Sequence, residues 1–203
     1  MAWLILGVFL FLGPHSVRIF ADDWRTRTIE KVGEKAYKGM YTVLTLIGFY
    51  ALIVGYADAR MQPIVIWQPP IATRHVSVLL MLFASILLVA AHLPGNHFKL
   101  RLGHPMVLSV KVWALAHLLA NGNLADLLLF GTFLLWSVLV YKSSRARDRA
   151  QAPLQDQASG GSAVAAPLAK MSATIMAVVA GTLLWGGITF YLHTLVVGVS
   201  PLG

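Results

Sequence analysis

The chain of 203 residues contains no cysteine. Disulfides, thiolate metal sites and cysteine nucleophiles are thereby excluded, although the redox compartment stays open. Charge is scarce as well. Only 12% of residues are charged and eight are acidic, about half the charged share of a soluble domain. No His, Asp or Glu cluster has zinc-ligand spacing on one helix, and no internal repeat is visible. The N-terminus lacks a basic leader and a small-residue cleavage site, so Ala2–Phe20 reads as a retained first helix and not a signal peptide.

Long apolar runs are what the chain has. Hydrophobic residues make up 58% and the mean hydropathy is +0.72. A membrane-spanning helix needs about 20 predominantly apolar residues. Six such segments can be read: Ala2–Phe20, Tyr37–Ala57, Val76–Leu93, His104–Ala120, Leu124–Tyr141 and Ser172–Val199. The expected fold is all-α, a polytopic transmembrane bundle of about six helices forming a single membrane domain over residues 1–203. Between the segments, Asp58–Arg74 carries Pro63, Pro69, Pro70 and Trp67, as an interfacial loop does. Pro94-Gly95-Asn96 ends the third segment, and Asn121-Gly122-Asn123 reads as a tight turn. From Lys142 to Lys170 large apolar residues are sparse, and a flexible cytoplasmic loop without a site is expected over about 143–170.

The formal charge of +8 does not point to nucleic acid, because most Lys and Arg fall in the connections, where they act as topology signals beside lipid headgroups. The first, third and fifth connections hold thirteen Lys and Arg against two in the second and fourth. Both termini are therefore expected outside the cytoplasm.

Ionisable groups inside a membrane are costly and each is a functional hypothesis. Of seven histidines, His15, His104, His117 and His193 fall within or at the ends of the expected helices; His75, His92 and His97 read as interfacial. Pro14 frees the Leu10 carbonyl, and Arg18 stands one turn after His15, a pairing suited to an anionic group. On the fourth segment His117 shares a face with Trp113, Ala114 and Asn121, and small Ala114 would leave room for a flat ligand. Lys111 can snorkel, pair with Asp126 or touch a haem propionate. Several histidines without cysteine favour a metal or haem; interhelical hydrogen bonding is the alternative. By depth, His15 pairs with His104 and His117 with His193. His15 and His117 differ in depth by about 10 Å, so that pairing also stays open.

Five stretches carry a family resemblance: Phe-Leu-Gly-Pro-His15-Ser, Gly-His104-Pro105-Met, Trp113-Ala-Leu-Ala-His117-Leu-Leu-Ala-Asn121-Gly122, Leu-Phe130-Gly131 and Gly198-Val-Ser200-Pro201-Leu202. Together they resemble the NnrU family over nearly the whole chain except Ser143–Lys170. Bacterial members are associated with denitrification and nitric oxide reduction; the plant zeta-carotene isomerases are similar proteins that bind haem b. The resemblance implies haem b in a bacterial inner-membrane protein, with His15 and His117 as the metal ligands. It implies either redox chemistry linked to nitric oxide or a redox-dependent isomerisation. The non-enzymatic alternative is an accessory or assembly subunit of a nitric oxide reductase or another respiratory complex, without haem. The isomerase branch has a cysteine where this chain has Ala114, so ligand exchange through a thiolate is excluded here. Arg101-Leu-Gly-His104-Pro105 is also similar to the isoprenylcysteine methyltransferases, but those use a downstream glutamate pair and no glutamate follows His104.

Overall fold

The computed structural model describes residues 1–158 and 168–202. Its helices are α1 (Ala2–Phe20), α2 (Asp22–Val32), α3 (Glu34–Met61), α4 (Ile71–His92), α5 (His97–Leu102), α6 (Pro105–Ala120), α7 (Leu124–Ala158), α8 (Met171–Gly187) and α9 (His193–Val197). A π-helical turn, Ile188–Leu192, joins α8 to α9 without a break. Among the described residues the only β pairing is one isolated bridge between Val65 and Asn123.

Five stretches are long and apolar enough to cross a membrane: Ala2–Phe20, Glu34–Met61, Ile71–His92, Leu124–Leu154 and Met171–Val197. The expected fourth segment is α6, apolar but of 16 residues. That is about 24 Å of helix against a hydrocarbon layer about 30 Å thick. The burial pattern fits lipid as solvent. Large apolar side chains such as Phe9 (70% exposed) and Leu183 (71% exposed) stay uncovered, while the buried residues are chiefly Ala and Ser, among them Ala51, Ala84, Ala177, Ser85 and Ser109.

Contacts divide the chain into two compact units, Met1–Gln68 with Asn121–Leu139, and Pro69–Ala120 with Val140–Gly203. In the first unit α1 and α3 run antiparallel, with Gly7 against Leu52, Phe11 against Gly48 and Leu4 against Gly55. A Cβ on Gly7 or Gly48 would come within 2.5 Å of backbone nitrogen on the facing helix, so only glycine permits this approach. Between them α2 is short and polar and buries no residue. Asp22 and Asp23 in its first turn and Lys31 in its last complement its dipole, and Gly33 (φ +84°) turns the chain into α3. The Asn121-Gly122-Asn123 turn is clasped by the loop after α3: Ile66 and Trp67 N–H donate to the Gly122 carbonyl, and Leu124 N–H to that of Ile64.

Buried Asp126 (2% exposed) fastens the start of α7. Its Oδ2 accepts from the backbone and side-chain amides of Asn123 (3.0 Å each), and its Oδ1 from the Tyr56 hydroxyl of α3 (2.5 Å). In the second unit α4 packs on α6, where the Ser109 hydroxyl donates to the Ala84 carbonyl (2.7 Å), and on α8, where Trp185 Nε1 donates to the Val78 carbonyl (3.0 Å). Asn96 is fully buried. Its amide donates to the carbonyls of Ala90 and Leu93 while its Oδ1 accepts from Lys99 N–H, so one side chain ends α4 and caps α5.

The loop expected over about 143–170 is a correction. Helix α7 continues through Ala158, because Ala, Arg and Gln are good helix formers and Arg147 bonds back to Ser143 and Ser144. Residues 159–167 of that stretch lie outside the described residues.

Four substitutions probe this framework. Gly48→Leu should force α1 and α3 apart and cost about 1–3 kcal/mol, read as a lower thermal midpoint in detergent. Gly39→Ala, where nothing lies within 4 Å, should leave the midpoint nearly unchanged. Asp126→Ala should cost about 1–3 kcal/mol by orphaning the Tyr56 and Asn123 donors, with Asp126→Asn losing less.

Candidate functional site

The histidines divide by what holds their Nδ1. His15 Nδ1–H donates to the Phe11 carbonyl (2.6 Å), His117 Nδ1–H to that of Trp113 (2.8 Å), and His193 Nδ1–H to that of Val199 (2.7 Å). A carbonyl only accepts, so in each of these rings Nδ1 carries a proton and Nε2 is the nitrogen with metal-ligand chemistry. His104 is arranged otherwise. Its Nε2 lies 2.9 Å from Asp148 Oδ2, and Arg145 joins the same carboxylate at 3.5 Å. Its Nε2 is therefore committed to a carboxylate.

In the second unit the His117 and His193 rings come together, with centroids 6.4 Å apart and planes inclined by 29°. Two imidazoles bound to one metal through nitrogen at about 2.0–2.1 Å set their ring centres about 6 Å apart. Trp113 packs against His117 at 5.1 Å. His193 is brought there by the π-helical turn before it, which inserts a residue into the helical phase, and its ring is aimed by the chain end. Gly198 (φ +78°) closes α9 in the left-handed conformation, turning the chain so that the Val199 carbonyl faces back to His193.

In the first unit His15 sits in an aromatic surround of Phe11 (4.6 Å between centroids), Tyr41 (5.3 Å) and the edge of Trp136 (6.1 Å). The indole N–H of Trp136 is buried and finds no hydrogen-bond partner among the described residues. His15 and Arg18 line a cleft of about 300 Å³ with Arg25, Tyr37, Lys38 and Tyr41. Lys111 is half-buried on α6 in the second unit. Among the described residues no group of three or more His, Asp or Glu could hold a metal ion.

A family model described as NnrU protein matches residues 3–201. The chain belongs to the NnrU family. No curated protein and no solved structure matches it.

The NnrU stretches singled out from the sequence acquire concrete roles. Gly198-Val-Ser200 is the turn that orients His193, and Trp113 supplies both the carbonyl and the ring beside His117. Gly122 is buried against Trp67, where any larger residue would collide with backbone. Ala114 is fully buried, so its small size serves helix packing and opens no space for a flat ligand. Val199 and Asp148 were not legible as partners: the first acts through its carbonyl, and the second lies in the stretch expected to be a loop without a site.

Gly198→Val should strain the left-handed position by about 1–2 kcal/mol and release the Val199 carbonyl. The check is ¹⁵N NMR of labelled imidazoles, where His193 should lose its fixed Nδ1–H signature while His117 keeps its own.

Proposed function

We propose that this NnrU protein is a haem b protein of the bacterial inner membrane, with both termini outside the cytoplasm, acting in redox chemistry linked to nitric oxide. The observation that carries the reading is the His117–His193 pair, two imidazoles whose Nδ1–H groups donate to backbone carbonyls and whose rings lie 6.4 Å apart. The donor set fits haem iron, which takes axial histidine, and fits a structural zinc site poorly, because the latter needs four ligands. Haem held by His117 and His193 would supply one-electron redox chemistry and a place for nitric oxide to bind.

The two residues are built for different duties. His117 stands within α6, with Nδ1 held by the carbonyl one turn back and its ring packed on Trp113. That fixes its orientation. His193 depends on a single carbonyl in the terminal turn, after a π-helical segment, so it is the imidazole that can leave at low cost. His15, the other ligand implied by the family resemblance, has an equally available Nε2 in the first unit. The non-haem reading, an accessory or assembly subunit for a nitric oxide reductase, draws on one observation. His15, His92 and His117 all satisfy Nδ1 on their own helices, which needs no ligand.

Protein purified in mild detergent from haem-replete cells should show a Soret band. His117→Ala should abolish or shift it, His193→Ala should convert the spectrum to that of a singly ligated haem, and His104→Ala should leave it unchanged. Loss with His15→Ala and retention with His193→Ala would assign the second ligand to His15. A colourless wild-type protein that co-purifies with a reductase would replace the haem reading with the accessory one.

A further inference from the structure

The cleft in the first unit is a different kind of site. Three cationic side chains from three helices line it: Arg18 from the last turn of α1, Arg25 from α2 and Lys38 from α3. Only one acid lines it with them, Glu34, which is spent on Lys38 at 2.6 Å. Arg25 has a loose contact with Asp22 at 3.9 Å and stands 5.8 Å from the centre of the Tyr37 ring. Arg18 has no ion pair among the described residues. With Lys38 neutralised by Glu34, Arg18 and Arg25 remain as two poorly compensated guanidiniums at one cleft, an arrangement that an anion completes. Two guanidiniums beside the tyrosines Tyr37 and Tyr41 suit a tetrahedral oxyanion, since arginine binds phosphate oxygens in pairs while the phenols add hydroxyl donors.

The position of the cleft narrows the source. It opens where a spanning helix ends, a polar surface helix crosses over, and the next spanning helix begins. Exposed Phe20 and Trp24 flank that crossing, as residues at headgroup depth do. We infer that this cleft binds the phosphate of an anionic phospholipid headgroup, with Arg18 and Arg25 as the principal contacts. A volume of about 300 Å³ is at the lower end for small-molecule sites and holds a headgroup while the acyl chains stay in the bilayer. The inference does not rest on haem, and neither His117 nor His193 lines the cleft.

The test is native mass spectrometry of the full-length protein in mild detergent. It is titrated with a short-chain phosphatidylglycerol, with the phosphatidylcholine of the same chain length, and with inorganic phosphate. The wild type should retain phosphatidylglycerol over phosphatidylcholine by at least about tenfold. Arg18→Gln with Arg25→Gln should bring the two lipids level, while Arg101→Gln, an exposed cation of the second unit, should leave the preference intact. Circular dichroism should show unchanged helix content in the double variant. Where helix content falls, single Lys38→Gln replaces it and should reduce the preference. Phosphatidylglycerol retained in excess inorganic phosphate supports the lipid as ligand; its displacement assigns the same site to free phosphate. No preference in the wild type, or a preference untouched by these changes, overturns the inference.

Discussion

Helices in lipid gain little by hiding apolar side chains from one another, because the acyl chains around them are equally apolar. What draws them together is close packing and the few hydrogen bonds that cross between them. Close backbone approach is therefore the constraint on which this protein depends. Where α1 meets α3, glycines at positions 7, 48 and 55 face backbone on the other helix with no room for a methyl group. Where α8 meets α4, Gly181 does the same against Ile86. The large side chains are left outside, where lipid accepts them.

Such tight contacts leave the helix ends as the places where polar groups must be satisfied, since unpaired backbone in a bilayer costs several kcal/mol. The structure meets this demand with single side chains of high capacity. Asn96 uses both its amide and its carbonyl to close one helix and open the next. Asp126 collects three donors from two elements. His15, His92, His117 and His193 follow the same rule, each donating to a nearby carbonyl through Nδ1. Satisfying one imidazole nitrogen on the backbone fixes the ring, so a structural requirement also orients each Nε2.

That coupling explains what the sequence disclosed and what it withheld. The first helix was legible at both ends, because a long apolar run bounded by charge has only one reading in a membrane. The turn at Asn121-Gly122-Asn123 was equally plain. The end of α7 was not. The Lys142–Ala158 stretch is poor in large apolar residues, and that was taken as a sign of a loop, yet it is rich in residues that hold a helix without needing a core. Ala114 reads in the sequence as space for a flat ligand, and its complete burial makes it instead a close contact between helices. The partners of His193 and His104 were hidden for a different reason. A backbone carbonyl at Val199 carries no signature in the side-chain alphabet, and Asp148 is distant in sequence from His104.

The contrast between His104 and His117 is instructive about choosing among histidines. Both occur in motifs shared with the family, and both belong to the second unit. His104 has a carboxylate on Nε2, with Arg145 on the far side of the same group. That arrangement occupies the ring nitrogen that a metal would need. His117 has a carbonyl on Nδ1 and the His193 ring beside it. Depth in the membrane, the criterion available from sequence, ranks these residues only by where they stand. The atom to which each ring is bonded ranks them by what they can do, and it sets His104 apart as a brace between α7 and the start of α6.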